Sequence, residues 1–200
     1  MNRTNLIERR FDFQTRAIGD EGQQELWVEG YAVRFNSPTV LFEIGGVEYK
    51  EQIARDAFTN TKMDDVIFNY NHSGRVMART RNKTLQLTVD ENGVFVRARL
   101  DGTEEGRSLY ADIQNGYVDR MSFRFNIAQG GETFADNMWT VNDVKRLYDV
   151  SAVDIPAYDD TSIEARKADA EAVARQHQQE VDTALARQRL EIKFKLLGGK

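Results

Sequence analysis

The chain has 200 residues, 40% hydrophobic and 30% charged, which suits one globular domain of ordinary size, or one domain with an extension. It contains no cysteine, which excludes disulfides and thiolate metal sites and points to an intracellular home. A formal net charge of −5 argues against nucleic acid as the main partner, because phosphate binding is driven by basic clusters. Carboxylates are plentiful, but no His-rich or HExxH-like ligand set occurs, so neither a metal nor a cofactor is expected. The first ten residues are polar and lack an apolar h-region, so no signal peptide is expected. No run approaches the length of a membrane span, and no membrane partner is expected.

Up to about Tyr158, short apolar runs separated by turn signals read mostly as strands. Phe11-Asp12-Phe13-Gln14 alternates. Residues 27–35 form a long strand that ends at the turn cluster Asn36-Ser37-Pro38, and 47–50 form another. Residues 54–60 read as a short helix. Val66-Ile67-Phe68-Asn69-Tyr70 is an apolar run ending at Asn71-His72. Residues 85–89 and 94–100 flank Asp90-Glu91-Asn92-Gly93, a hairpin signal, because Asn and Gly accept the positive φ of tight turns. A second helix spans 103–116: Thr103 can cap it, Glu104 and Glu105 sit in its positive first turn, and Leu109 and Ile113 are spaced i, i+4. Residues 121–127 and 139–144 read as a strand pair around a polar loop, and 147–155 as a last strand stopped by Pro156. This is an α+β pattern, a mostly antiparallel, β-barrel-like or sandwich core with embedded helices.

From about Ser162 the composition shifts to Ala, Glu, Gln and Arg. Residues 162–189 read as one long helix whose apolar stripe is too thin to drive burial by itself. A solvated, partly disordered helical tail is the plain reading. Leu190-Glu191-Ile192-Lys193-Phe194-Lys195-Leu196 alternates with period 2 and suits a docking strand. The division expected is therefore 1–161 for the folded domain and 162–200 for the tail.

Two histidines are present, and His177 falls in the polar tail, so histidine-dependent chemistry rests on His72. Ser122 sits in Met121-Ser122-Phe123-Arg124-Phe125, on the strand face opposite the apolar residues. A serine and a histidine on separate elements are what a hydrolase needs, since only their approach in space matters. By residue type alone each is an ordinary structural residue. Asp149, in Leu147-Tyr148-Asp149-Val150-Ser151-Ala152-Val153, is costly to bury without a partner. Asp154 competes for the same role. Arg79 and Arg124 are candidate oxyanion donors or substrate contacts, with surface ion pairing as the plain alternative.

Taken in order, the motifs resemble those of the prohead (capsid maturation) proteases of tailed bacteriophages, a family related in fold to the herpesvirus assemblin serine proteases. The resemblance spans about 29–166. It rests on Glu29-Gly30-Tyr31-Ala32-Val33-Arg34-Phe35-Asn36, then Glu51-Gln52-Ile53 with Ala57-Phe58, then Asn71-His72 with Arg79. It continues through Gly116 and Met121-Ser122-Phe123-Arg124-Phe125 to Asp149-Val150-Ser151 and Pro156-Ala157-Tyr158.

The resemblance implies a herpesvirus-protease-like fold and a serine endopeptidase that cleaves capsid or scaffold segments during prohead maturation, with self-cleavage. It implies Ser122 as nucleophile and His72 as base. The herpesvirus relatives use a second histidine as third member, whereas the phage pattern has an acidic residue before Val-Ser, here Asp149 where Glu is more usual. The partners implied are the major capsid protein and its scaffolding segment, inside the assembling prohead in the host cell cytoplasm. Dimerisation of the herpesvirus relatives adds a homo-oligomer to the expectations. The Gln/Glu/Ala-rich tail also suits a non-enzymatic capsid assembly or scaffolding protein, or a fused protease–scaffold.

Overall fold

A computed structural model describes residues 7–11, 16–18, 25–154, 168, 170–172, 175, 179 and 182–188. The chain divides into two compact units, Met1–Asp159 and Asp160–Lys200. In the second, every described residue is helical. Among the described residues no helix is long and apolar enough to cross a membrane. The alternation at 190–196, His177 and residues 12–15 lie outside the described residues.

The first unit is built of strands. In chain order they are β1 (Ile7–Phe11), β2 (Arg16–Ile18), β3 (Trp27–Arg34), β4 (Thr39–Ile44), β5 (Val47–Ile53), β6 (Ile67–Tyr70) and β7 (Ser73–Arg79). After a 3-10 turn at Thr80–Asn82 come β8 (Leu85–Val89), β9 (Gly93–Arg99), the helix α1 (Glu104–Gln114), β10 (Arg120–Ile127), β11 (Glu132–Ala135), β12 (Met138–Val141) and β13 (Val144–Val153). They form a five-stranded sheet ordered β1-β10-β13-β6-β7 and two four-stranded sheets, β11-β12-β5-β4 and β2-β3-β9-β8. The mostly β reading therefore holds, but as three sheets and not as a closed barrel.

Three hairpins turn on two residues that both have positive φ: Gly45-Gly46, Asn71-His72 and Asp136-Asn137. Such turns match the right-handed twist of the strands they join. The hairpin around Asp90-Glu91-Asn92-Gly93 forms as expected, for a different reason. Neither Asn92 nor Gly93 has positive φ. Asp90 Oδ1 accepts the amides of Asn92 (2.7 Å) and Gly93 (3.0 Å) and so makes the turn itself. Gly93 is required by close approach, since a Cβ there would lie 1.8 Å from the carbonyl oxygen of Val33 on β3.

Two sequence expectations are corrected. Residues 55–60 are successive turns instead of a helix. Their amides make i→i−3 bonds (Ala57 to Ala54, Thr59 to Asp56), while the Ala57 carbonyl accepts from Val144 at 2.8 Å, so no i→i−4 ladder develops. Residues 121–127 also do not pair with 139–144. β10 lies between β1 and β13, and β12 pairs with β11 and, in parallel, with β5. The polar loop supplies a short strand of its own, which takes the place assigned to β10.

The helix forms where its signals predict. Thr103 Oγ1 accepts the Gly106 amide at 2.9 Å, a cap worth about 1 kcal/mol. Leu109, Tyr110 and Ile113 are buried in the core. From β10 the core receives Met121, Phe123 and Phe125, and from β13 Leu147, Val150 and Ala152. Alternation sends Ser122, Arg124, Asp149 and Ser151 to the opposite face, and a bulge in β13, where Arg124 faces Asp149 but Phe125 faces Leu147, returns Leu147 to the core side.

Candidate active site

That opposite face is polar, and strand register assembles it. Ser122 is opposite Ser151, and Arg124 is opposite Asp149, in the β10–β13 pair. Ser151 is in turn beside Asn69 in the parallel β13–β6 pair. Residues in register project to one face, so three adjacent strands deliver Ser122, Arg124, Asp149, Ser151 and Asn69 to a single patch. Ser122, Asp149, Ser151 and Asn69 are all buried.

His72 reaches this patch from the turn after β6. Asn71 and His72 have φ of 49° and 54°, and Tyr70 pairs with Ser73 across them. A histidine in the left-handed region costs of order 1 kcal/mol and persists where its surroundings impose it. Here three contacts tie the turn down. The Asn71 amide donates to the Ala152 carbonyl at 3.0 Å. The His72 amide donates to Ser151 Oγ at 3.2 Å. Arg124 Nη1 donates to the His72 carbonyl at 3.0 Å.

The imidazole is buried, and its Nδ1 bonds directly to Asp149 Oδ1. Asp149 Oδ2 lies 3.9 Å from Arg124 Nη1, so a cation stands behind the carboxylate. Ser151 Oγ is 3.0 Å from the same Nδ1. A carboxylate on Nδ1 fixes the proton there and leaves Nε2 as the nitrogen that can accept one. Such a pair beside a strand-borne serine can run acyl transfer: proton removal from a hydroxyl, then proton return to a leaving group. Ser151 itself is a poor nucleophile candidate. It contacts the nitrogen that the carboxylate already holds, and its oxygen is engaged with Asn69 and the His72 amide.

The other sequence candidates separate. Asp154 accepts from the Tyr70 hydroxyl at 2.7 Å, and that bond pushes the phenol's pKa up. Arg79 is spent on Asp65 through a two-pronged pair at 2.6 and 2.8 Å, which raises the guanidinium's pKa and lowers the carboxylate's. Arg79 thus follows its plain ion-pair reading, whereas Arg124 joins the patch. Two members were missed from sequence, Ser151 and Asn69. Period 2 could have found Ser151, two positions after Asp149, whereas Asn69 follows the apolar Ile67 and enters the patch only through the pairing of β6 with β13. Among the described residues no group of three or more His, Asp or Glu side chains could hold a metal ion.

The described fold is mostly β, and its patch holds a buried histidine–carboxylate pair on the face that also bears Ser122. The chain matches the Caudovirus prohead serine protease family over residues 11–176, and it belongs to that family. It is a serine protease of virus capsid maturation. No curated protein matches it. Among solved structures it is similar to the bacteriophage T4 capsid assembly protease, at 18% identity over 76% of this chain and 98% of that one, with a TM-score of 0.49.

Proposed function

We propose that Ser122, His72 and Asp149 are the catalytic triad of this protease. The observation that carries the assignment is the buried contact of His72 Nδ1 with Asp149 Oδ1, on the face that also bears Ser122. His72 Nε2 takes the proton of Ser122 Oγ as that oxygen attacks a peptide carbonyl, and returns it to the leaving amine. Asp149 holds the imidazole tautomer and stabilises the imidazolium. Arg124 braces the base through the His72 carbonyl, and it is the side-chain candidate for contact with the oxyanion or substrate.

The substrate is the major capsid protein with its scaffolding segment, and the chain also cleaves itself. The reaction takes place inside the prohead in the host cytoplasm, where confinement raises the local concentrations of enzyme and substrate. The catalytic domain is 1–161, with a herpesvirus-protease-like arrangement of its strands, and 162–200 is a helical tail that serves packaging. The family match runs on to residue 176, which supports a link between the start of the tail and the protease.

The test is Ser122→Ala, co-expressed with the cognate capsid protein, with protein termini read by mass spectrometry. The hydroxyl is small and strand-borne, so the fold should survive while cleavage stops. Cleavage at the wild-type rate would remove Ser122 from the mechanism.

A further inference from the structure

We propose that Ser151 and Asn69 act together as a positioning unit that admits only the productive tautomer of His72. The proposal rests on the triad assignment above and adds two residues to it.

The argument is a proton count at one oxygen. Ser151 Oγ is fully buried and has one hydrogen and two lone pairs. Its hydrogen goes to Asn69 Oδ1, a bond between two buried groups. One lone pair accepts the His72 amide at 3.2 Å. The other faces His72 Nδ1 at 3.0 Å. Asp149 Oδ1 is 3.4 Å away and has no hydrogen to give as a carboxylate. Nδ1 is therefore met by two acceptors and no donor. A proton on Nδ1 satisfies both, whereas a bare Nδ1 would set its lone pair against theirs.

Asn69 makes this arrangement hold. Without it, the Ser151 hydroxyl would be free to rotate and donate to Asp149 Oδ1, an acceptor at 3.4 Å, or to Nδ1 itself. Donation to Nδ1 would stabilise the ring with its proton on Nε2, where it cannot serve as base, and donation to Asp149 would weaken that carboxylate's hold on the Nδ1 proton. Asn69 occupies the hydroxyl hydrogen and removes that choice. The same oxygen also holds the backbone of His72 in its left-handed turn, so tautomer and ring position share one anchor. Strand register supplies the unit, because Ser151 stands between Asn69 on β6 and Ser122 on β10.

Neither residue touches substrate in this account, so the test needs a readout beyond activity. The chain has only two histidines, so imidazole 15N spectra contain two rings, and loss of one in His72→Gln assigns the other. In the otherwise unaltered protein, the neutral His72 ring should display its proton on Nδ1 and not on Nε2. Ser151→Ala and Asn69→Ala should each lower kcat by about 10- to 100-fold, by analogy with the range found for outer partners of metal-ligating histidines, with KM changed by less than about threefold. Asn69→Ala should shift the 15N pattern toward a mixture of tautomers, because the released hydroxyl can donate to Nδ1. Ser151→Ala removes that hydroxyl, should keep the proton that Asp149 holds on Nδ1, and should act through the lost anchor of the His72 amide. The double variant should lose little more than either single one, as expected of residues acting as a unit. Ser151→Thr, which keeps the oxygen, should restore most of kcat. If Ser151→Ala does not fold, Asn69→Ala by itself carries both the kcat and the 15N readout. Wild-type kcat in either folded variant, or an unchanged 15N pattern in Asn69→Ala, overturns the proposal. Ser122→Ala and Asp149→Asn are run beside them: activity in those two would sink the triad, while their inactivity with a fully active Ser151→Ala would sink the positioning unit alone.

Discussion

Asp149→Asn tests the site most sharply, because it keeps shape and removes only charge and proton-accepting capacity. Asp149 is buried and meets His72 Nδ1 directly. When His72 takes a proton, an imidazolium forms against a carboxylate at roughly 4 Å between charge centres. At an effective dielectric near 20 that attraction is about 4 kcal/mol. Each 1.36 kcal/mol is a factor of ten in rate, so loss of the charge predicts a fall in kcat of about 10³-fold. The substituted amide also offers an N–H to Nδ1, which favours the unproductive tautomer and adds about one further factor of ten. The total, 10³- to 10⁴-fold, is of the size seen when the triad aspartate of another serine protease is replaced by Asn. KM should stay within about threefold, since no substrate contact is removed. Arg124, 3.9 Å from the carboxylate, loses a partner, so a small drop in Tm should accompany the change. The assay is single-turnover cleavage of the cognate capsid protein, with Asp154→Asn as control. Asp154 bonds the Tyr70 hydroxyl, and its loss should leave kcat within about threefold. An Asp149→Asn enzyme within tenfold of wild type, or a more damaging Asp154→Asn, would refute the reasoning.

Gly93→Ala should destabilise the protein by about 3 kcal/mol or more, because its Cβ would lie 1.8 Å from a backbone oxygen of β3 that cannot yield alone. Thermal unfolding should register this as a Tm lower by roughly 6–12 °C. Asp65 and Asp90 have pKa values held below their ordinary 3.8, by the Arg79 pair and the Tyr31 hydroxyl bond respectively. A depressed carboxylate stabilises the fold above its ordinary value, and that contribution is lost as pH falls through the depressed one. Tm should therefore drop as pH falls below about 4, and Asp65→Asn should flatten the drop; an unchanged slope would contradict the pairing. Truncation after residue 161 should leave cleavage of added capsid protein in solution but deplete the protease from purified proheads. A parallel truncation after 176, where the family match ends, separates the start of the tail from its remainder. Loss of folding or of in-solution cleavage with the shorter chain would place the tail in the catalytic domain.

What the sequence by itself determined is what depends on local chemistry. Period-2 alternation around Ser122 put it opposite Met121, Phe123 and Phe125, and register confirms that face. The signals of α1 sat in its own residues, from the Thr103 cap to the Leu109/Ile113 spacing. The hairpin at Asp90–Gly93 was legible although its physical basis lay elsewhere: the carboxylate of Asp90 makes the turn, and Gly93 is needed for room beside β3. The candidate residues Ser122, His72 and Asp149 were likewise readable as motifs.

Tertiary structure decided which strands become neighbours. No local feature of β10 says that β13 lies beside it, or that β6 joins β13 in parallel, since those pairings bring together residues far apart in the chain. That choice separated Asp149 from Asp154 and Arg124 from Arg79, pairs that residue type alone could not tell apart. It also brought Ser151 and Asn69 into the site, because a hydroxyl and an amide acquire a role only from what stands opposite them. The turn at Asn71-His72 lies between the two cases. A histidine in a position that favours glycine is visible in the sequence only once the strands on either side are known to pair. Its left-handed backbone is held by contacts from β10 and β13, which only the folded chain supplies.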